Sequence, residues 1–133
     1  MGRLTGLRYL SLSDAWEITD AGVAHLAGLV HLEELDLTET TITDVGLAYL
    51  STLANVRTLS LWGTRVGDSG LRHLRKLAAL ENVLMPYTKI TDRGLHDLAA
   101  NRNLKRLDIR GTNITTSRVE ALQRLLPDCA ITM

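Results

Sequence analysis

One series of apolar residues recurs along this chain every 24 positions. Leu32, Leu35, Leu37, Ile42, Leu47, Leu50 and Leu53 are followed by Val56, Leu59, Leu61, Val66, Leu71, Leu74 and Leu77. Two more copies read Leu80, Val83, Met85, Ile90, Leu95, Leu98 and then Leu104, Leu107, Ile109, Ile114, Val119, Leu122, Leu125. The first copy, Leu7, Leu10, Leu12, Ile18, Val23, Leu26 and Leu29, is one residue longer, with the insertion in Ser13 to Glu17. Self-similarity at this period requires a stacked array.

Each unit reads as a short strand, a turn and a helix. Apolar and polar residues alternate in Leu35-Asp36-Leu37, as in a strand with one buried face. Thr43 or Asp44 then serves as N-cap, and Leu47, Leu50 and Leu53 share one helical face. Equivalent starts stand at Thr19-Asp20, Asp68 and Thr91-Asp92. Gly22, Gly46, Gly70 and Gly94 lie in the first helical turn, where each costs roughly 0.5–1 kcal/mol against Ala. Four such costs at one register imply that a Cβ would collide with a neighbour. Thr40, Thr64, Thr88 and Thr112 share a register just after the strand, where hydroxyls can satisfy turn backbone. Strands stack at about 4.8 Å and helices at about 10 Å, so the helical side must splay and the sheet must line the inside of an arc. Strand-helix-strand steps are expected to be right-handed.

The motif L-x-x-L-x-L followed by T-x-I-T-D-x-G-L-x-x-L resembles the leucine-rich repeat, in the form that bacterial repeat proteins share with the ribonuclease-inhibitor and F-box-associated branches. The resemblance runs from about Leu4 to Met133. It implies an α/β fold: a right-handed solenoid forming a short horseshoe arc, with a parallel sheet on the concave face and helices on the convex face. The units fall at about 4–28, 29–52, 53–76, 77–100 and 101–125, as one domain. Pro127 stops the last helix, and a terminal strand at 128–133 would turn Ile131 and Met133 inward. The resemblance also implies a binding scaffold with a protein or peptide as partner.

Charge narrows the partner classes. Lys plus Arg and Asp plus Glu are 15 each, so nothing in the net charge points to nucleic acid or to a membrane surface. The distribution is uneven: residues 1–50 hold two basic and eight acidic side chains (−6), and residues 51–133 thirteen and seven (+6). In an array this makes the rod electrically polar. The single cysteine, Cys129, excludes an internal disulfide framework and a Cys-based zinc site and suits a reducing compartment, so a cytoplasmic location is expected. There is no signal-peptide core and no apolar run of membrane-spanning length. No phosphate loop, H-E-x-x-H or G-x-S-x-G motif appears, so neither catalysis, a cofactor nor a metal site is expected. His25, Tyr49, His73 and Asp97 share a convex register too widely spaced for zinc, and Arg72, His73, Arg75 and Lys76 read as a solvated helix face.

In this family the residues between the strand leucines point into the concave face. The rows are Tyr9, Glu34, Thr58, Asn82, Arg106; Ser11, Asp36, Ser60, Leu84, Asp108; and Ser13, Thr38, Trp62, Pro86, Arg110, with Tyr87 at the rim. Trp62, Leu84, Pro86 and Tyr87 place apolar groups where no core needs them, with Glu34 and Asp36 to one side and Arg106 and Arg110 to the other. Trp, Tyr and Arg often dominate binding energy. The candidate partner site is therefore Tyr9, Glu34, Asp36, Trp62, Leu84, Pro86, Tyr87, Arg106 and Arg110. A second candidate surface is the N-terminal edge, Leu4, Leu7, Leu10 and Leu12, for which no capping segment is encoded. That edge fits either a homo-oligomer or the C-terminal part of a longer repeat receptor or effector. A ubiquitin-ligase substrate-recognition array is one such case, although no F-box segment stands in these 133 residues.

Overall fold

The computed structural model describes residues 6–133, so Leu4 lies outside the described residues. Six three-residue strands, β1 (Tyr9–Ser11), β2 (Glu34–Asp36), β3 (Thr58–Ser60), β4 (Asn82–Leu84), β5 (Arg106–Asp108) and β6 (Ala130–Thr132), form one sheet in chain order. Every pairing is parallel, and the registers step through Leu10, Leu35, Leu59, Val83, Leu107 and Ile131. Between strands lie α1 (Asp20–Ala24), α2 (Asp44–Tyr49), α3 (Asp68–Leu74), α4 (Asp92–Leu95) and α5 (Thr116–Leu125). α1, α2 and α4 tighten into 3-10 turns at their ends. This is the solenoid expected from the period.

The core is a stack of leucine ladders. Leu35, Leu59, Val83 and Leu107 are each 0–2% exposed, and Ile42, Leu47, Leu50, Leu53 and their equivalents close over them from the helical side. The strand and helix periodicities of one unit thus converge on one seam. The ends of the ladder are less covered: Leu7, Leu10, Leu12, Ile18 and Ile131 are half-buried.

Polar ladders lock neighbouring units. The Asp20 carboxylate accepts the Thr43 N–H and hydroxyl at 2.8 and 2.6 Å, Asp68 accepts the same pair from Thr91 at 2.6 Å each, and Asp92 from Thr115 at 2.8 Å each. Asp44 accepts the Gly67 N–H at 2.6 Å. These carboxylates explain the glycine register: a Cβ on Gly46, Gly70 or Gly94 would lie 2.5–2.6 Å from the preceding unit's Asp oxygen. Gly22 departs from that expectation, since the nearest atom a Cβ would meet is its own unit's Ile18 at 3.9 Å. Thr40, Thr64, Thr88 and Thr112 donate to the carbonyls of Leu37, Leu61, Met85 and Ile109, so the threonine ladder closes turns as expected.

Two terminal residues are placed differently from the sequence reading. Leu125 is exposed and Leu126 is buried in its stead, because α5 keeps the α-helical rise where α1, α2 and α4 tighten. The next core residue after Leu122 therefore falls four positions on instead of three. Met133, expected inward, is 52% exposed, beyond the last pairing of β6.

Candidate functional site

The middle residue of each strand faces the core, so its neighbours face away from it, along the open side of the sheet. Tyr9, Glu34, Thr58, Asn82 and Arg106 form one row there, and Ser11, Asp36, Ser60, Leu84 and Asp108 the next, as their Cα registers require. The third row, Thr38, Trp62, Pro86 and Arg110, follows through the bonds Glu39 N–H to Trp62 O, Gly63 N–H to Pro86 O and Tyr87 N–H to Arg110 O.

Aromatic groups meet where that third row borders the residue that follows it in each unit. The rings of Trp62 and Tyr87 stack with centroids 6.1 Å apart and planes inclined by 27°. The Arg110 guanidinium lies 6.0 Å from the centroid of Trp62, although the two residues are two units apart. Pro86 lies between them in the row and is buried, so it shapes the surface and presents little of itself. Trp62 is 41% and Tyr87 62% exposed. Contact with a cationic plane is worth about 0.5–1 kcal/mol at exposed sites, enough to bias a side-chain orientation.

Arg110 is held from the other side. Its Nη2 and Nε donate to Asp108 Oδ2 and Oδ1 at 2.7 and 3.0 Å, a two-pronged carboxylate pair. The guanidinium donating to Asp108 holds that carboxyl below its ordinary value, while partial burial opposes the shift. Arg110 is raised by the same bond. Its charge is therefore matched locally, and Arg106, exposed two rows away in the same unit, forms no ion pair among the described residues and carries the unmatched positive charge of this end.

The opposite end is acidic. Glu34 is exposed and Asp36 half-buried, and neither forms an ion pair among the described residues. Asp36 accepts the Thr38 N–H at 3.0 Å, which orders it without neutralising it. Tyr9, 59% exposed, stands next to Glu34 in its row. Leu84 lines a shallow depression with Tyr9, Glu34, Asp36 and Ser60. The nine residues proposed from sequence thus share one face, with Pro86 beneath its surface.

Sequence reading missed a fourth row. Asp14, Glu39, Gly63, Tyr87 and Gly111 all have positive φ, between 57° and 69°. Every unit turns out of its strand through this left-handed position, which costs a non-glycine residue roughly 1–2 kcal/mol. Gly63 and Gly111 were the available signal. They also make room: a Cβ on Gly63 would meet the Glu39 carboxylate at 2.8 Å, and one on Gly111 would run into the Tyr87 ring. Glu39 and Tyr87 each lean onto the next unit because a glycine follows 24 residues on. Also missed was a charge alternation along the strand entry, Arg8, Glu33, Arg57, Glu81, Lys105, in which Arg8–Glu33 and Lys105–Glu81 approach to 3.9 and 3.5 Å. Trp16, in the longer first turn, is 69% exposed.

Among the described residues no group of three or more His, Cys, Asp or Glu could hold a metal ion, and no helix is long and apolar enough to cross a membrane.

Comparison with known proteins follows the same pattern. A family model described as Leucine Rich repeat matches residues 4–27, 28–51 and 100–122. The crystal structure of an internalin C2 from Listeria monocytogenes is similar with a TM-score of 0.80 and 28% identity, over 98% of this chain and 53% of that one. A leucine-rich-repeat protein of Leptospira interrogans gives a TM-score of 0.74 at 23% identity, over 99% and 32%. This chain thus spans about half the length of that internalin and a third of the Leptospira protein. No curated protein matches it in sequence.

Proposed function

Because the chain belongs to the leucine-rich-repeat family, we propose that it is a protein-recognition module that takes a protein or peptide on the open face of its sheet. The observation that carries this reading is the exposed Trp62–Tyr87 stack braced by Arg110 and Asp108. Those groups serve no core, and bracing them in advance lowers the entropy lost on binding. The role proposed is binding without catalysis and without a cofactor, on a surface that uses neither nucleic acid nor a membrane. The buried Cys129 thiol fits the proposed cytoplasmic setting, since it is shielded from disulfide exchange.

The test is a pull-down with the 133-residue chain beside a Trp62→Ala/Arg110→Ala variant of matched circular dichroism. Partners retained by the first and lost by the second support the reading; equal retention would count against it.

A second reading rests on the N-terminal edge. Leu7, Leu10 and Leu12 are half-buried where their equivalents Leu32, Leu35 and Leu37 are 0–2% exposed. An apolar edge of this kind supports self-association or the docking of another repeat. Light scattering across a concentration range tests it: a dimer that Leu10→Asp abolishes supports the edge, and a constant monomer mass removes self-association.

A further inference from the structure

The open face is not symmetric along its length, and the asymmetry constrains its partner. Among the described residues Glu34 and Asp36 on β2 stand without cations, and Asp14 of the first unit and Glu39 of the second add two exposed carboxylates in the left-handed row. The Glu39 side chain lies against Gly63, which carries acidic charge up to the edge of the unit that bears Trp62. The Trp62–Tyr87 stack follows. Beyond it, Arg110 is matched by Asp108, while Arg106 forms no ion pair among the described residues. From unit to unit the order is acidic, aromatic, basic, with Trp62 two rows further along the strands than Glu34 and Arg106, so the middle side chain of a segment crossing the sheet reaches toward the strand ends.

Resting on the reading of this face as a partner site, we propose that its partner is an extended protein segment carrying a lysine or arginine at one end, an apolar or proline residue in the middle and an aspartate or glutamate at the other. The cation sits over Glu34, Asp36 and Glu39, the middle residue on Trp62 and Tyr87, and the carboxylate against Arg106. Three strand spacings separate β2 from β5, about 14 Å. An extended chain rises about 3.3 Å per residue, so the two charged residues are about four to five positions apart. The strands crossed are paired on both sides, so their backbone is spent and side chains carry the recognition. A segment of reversed polarity meets like charges at both ends, a penalty that sets direction.

The test pans a phage-displayed random dodecapeptide library on the immobilised chain at about 20 mM salt, where exposed charges are weakly screened. Clones are counter-screened on the folded Trp62→Ala variant. Clones that lose binding to that variant and carry Lys or Arg four to five positions from Asp or Glu, with an apolar residue between, are the expected result. In their synthetic peptides, Glu34→Lys/Asp36→Lys should weaken binding about tenfold or more, and exchanging the peptide's cation for Glu should restore it. Clones that depend on Trp62 but lack this charge order would overturn the inference and leave the face as a binding site. An absence of any Trp62-dependent clone would overturn both.

Discussion

Gly70 and Gly22 occupy one register and should answer the same substitution in opposite ways. A Cβ on Gly70 would stand 2.5 Å from Asp44 Oδ1 and 3.0 Å from Leu47 Cδ1, so alanine there must displace the carboxylate that bonds Gly67 N–H. Overpacking of this kind costs about 1–3 kcal/mol, more than the helix propensity alanine returns. Gly22→Ala meets no described atom nearer than 3.9 Å and should stabilise by roughly 0.5–1 kcal/mol. Urea midpoints of the two variants decide it, and equal shifts would refute the steric account. Asp108 gives a pH prediction. Its folded-state pKa is lowered by Arg110, so the contribution of the pair is complete above the ordinary carboxyl value and is lost as pH falls through the lowered one. Arg110, already the more basic partner, is raised further by the same bond, so it adds no titration in the working range. Trp62 fluorescence in a Trp16→Phe background should hold steady from neutral pH to about 4 and change below it. Asp108→Asn should show the altered signal at all pH values. At this scale the sequence was legible where a pattern repeats: the glycines and threonines announced contacts through recurrence. It was not legible for Pro86, whose burial depends on the side chains beside it in the row.

The elements differ in how they end, and that decides which leucine is structural. In α1 and α2 the last turn tightens, and Leu26 to Leu29 and Leu50 to Leu53 are core pairs three apart. In α5 the regular helix runs ten residues, so Leu126 closes the core and Leu125 faces solvent. Leu126→Ala should cost about 2–5 kcal/mol and Leu125→Ala about 0.5 kcal/mol. Chemical denaturation of the two variants tests this, and the reverse order would restore the spacing of the other units. The spacing read from the earlier repeats carried over to the last because sequence alone does not say whether a turn is 3-10 or α; that choice is made by what the turn packs on. Asp92 bonds Thr115 at an exposed site, while α5 bears Arg118 where other units have glycine. The last helix therefore starts in the common way and ends in its own. The strands were legible to the residue, since alternation around a central leucine leaves one register that buries it.

The whole molecule is a one-dimensional stack, so its stability should vary along its length. A unit flanked on both sides buries its ladder completely, whereas Leu7, Leu10, Leu12 and Ile18 remain half-buried. If full burial is worth about 1.5–3 kcal/mol per side chain, these four together forgo roughly 3–6 kcal/mol. The first unit should therefore open without the rest. Native-state hydrogen exchange reads this directly: the Leu12 amide, bonded to Asp36 O, should exchange about 10²–10⁴-fold faster than the Leu61 amide, bonded to Leu84 O. Equal protection would mean that the array unfolds as one unit and that the exposed ladder costs little. The same experiment separates the roles proposed for the two surfaces. If the edge pairs with another copy, Leu12 protection rises with protein concentration while Leu61 stays constant. The chain carries −6 over residues 1–50 and +6 over residues 51–133, so a head-to-tail pairing would bring opposite charges together and weaken as salt is added. A pairing of like ends would brings two acidic edges together and strengthen with salt. Protection of Leu12 that rises with concentration thus reports an interface, and the sign of its salt dependence reports which end the second copy presents.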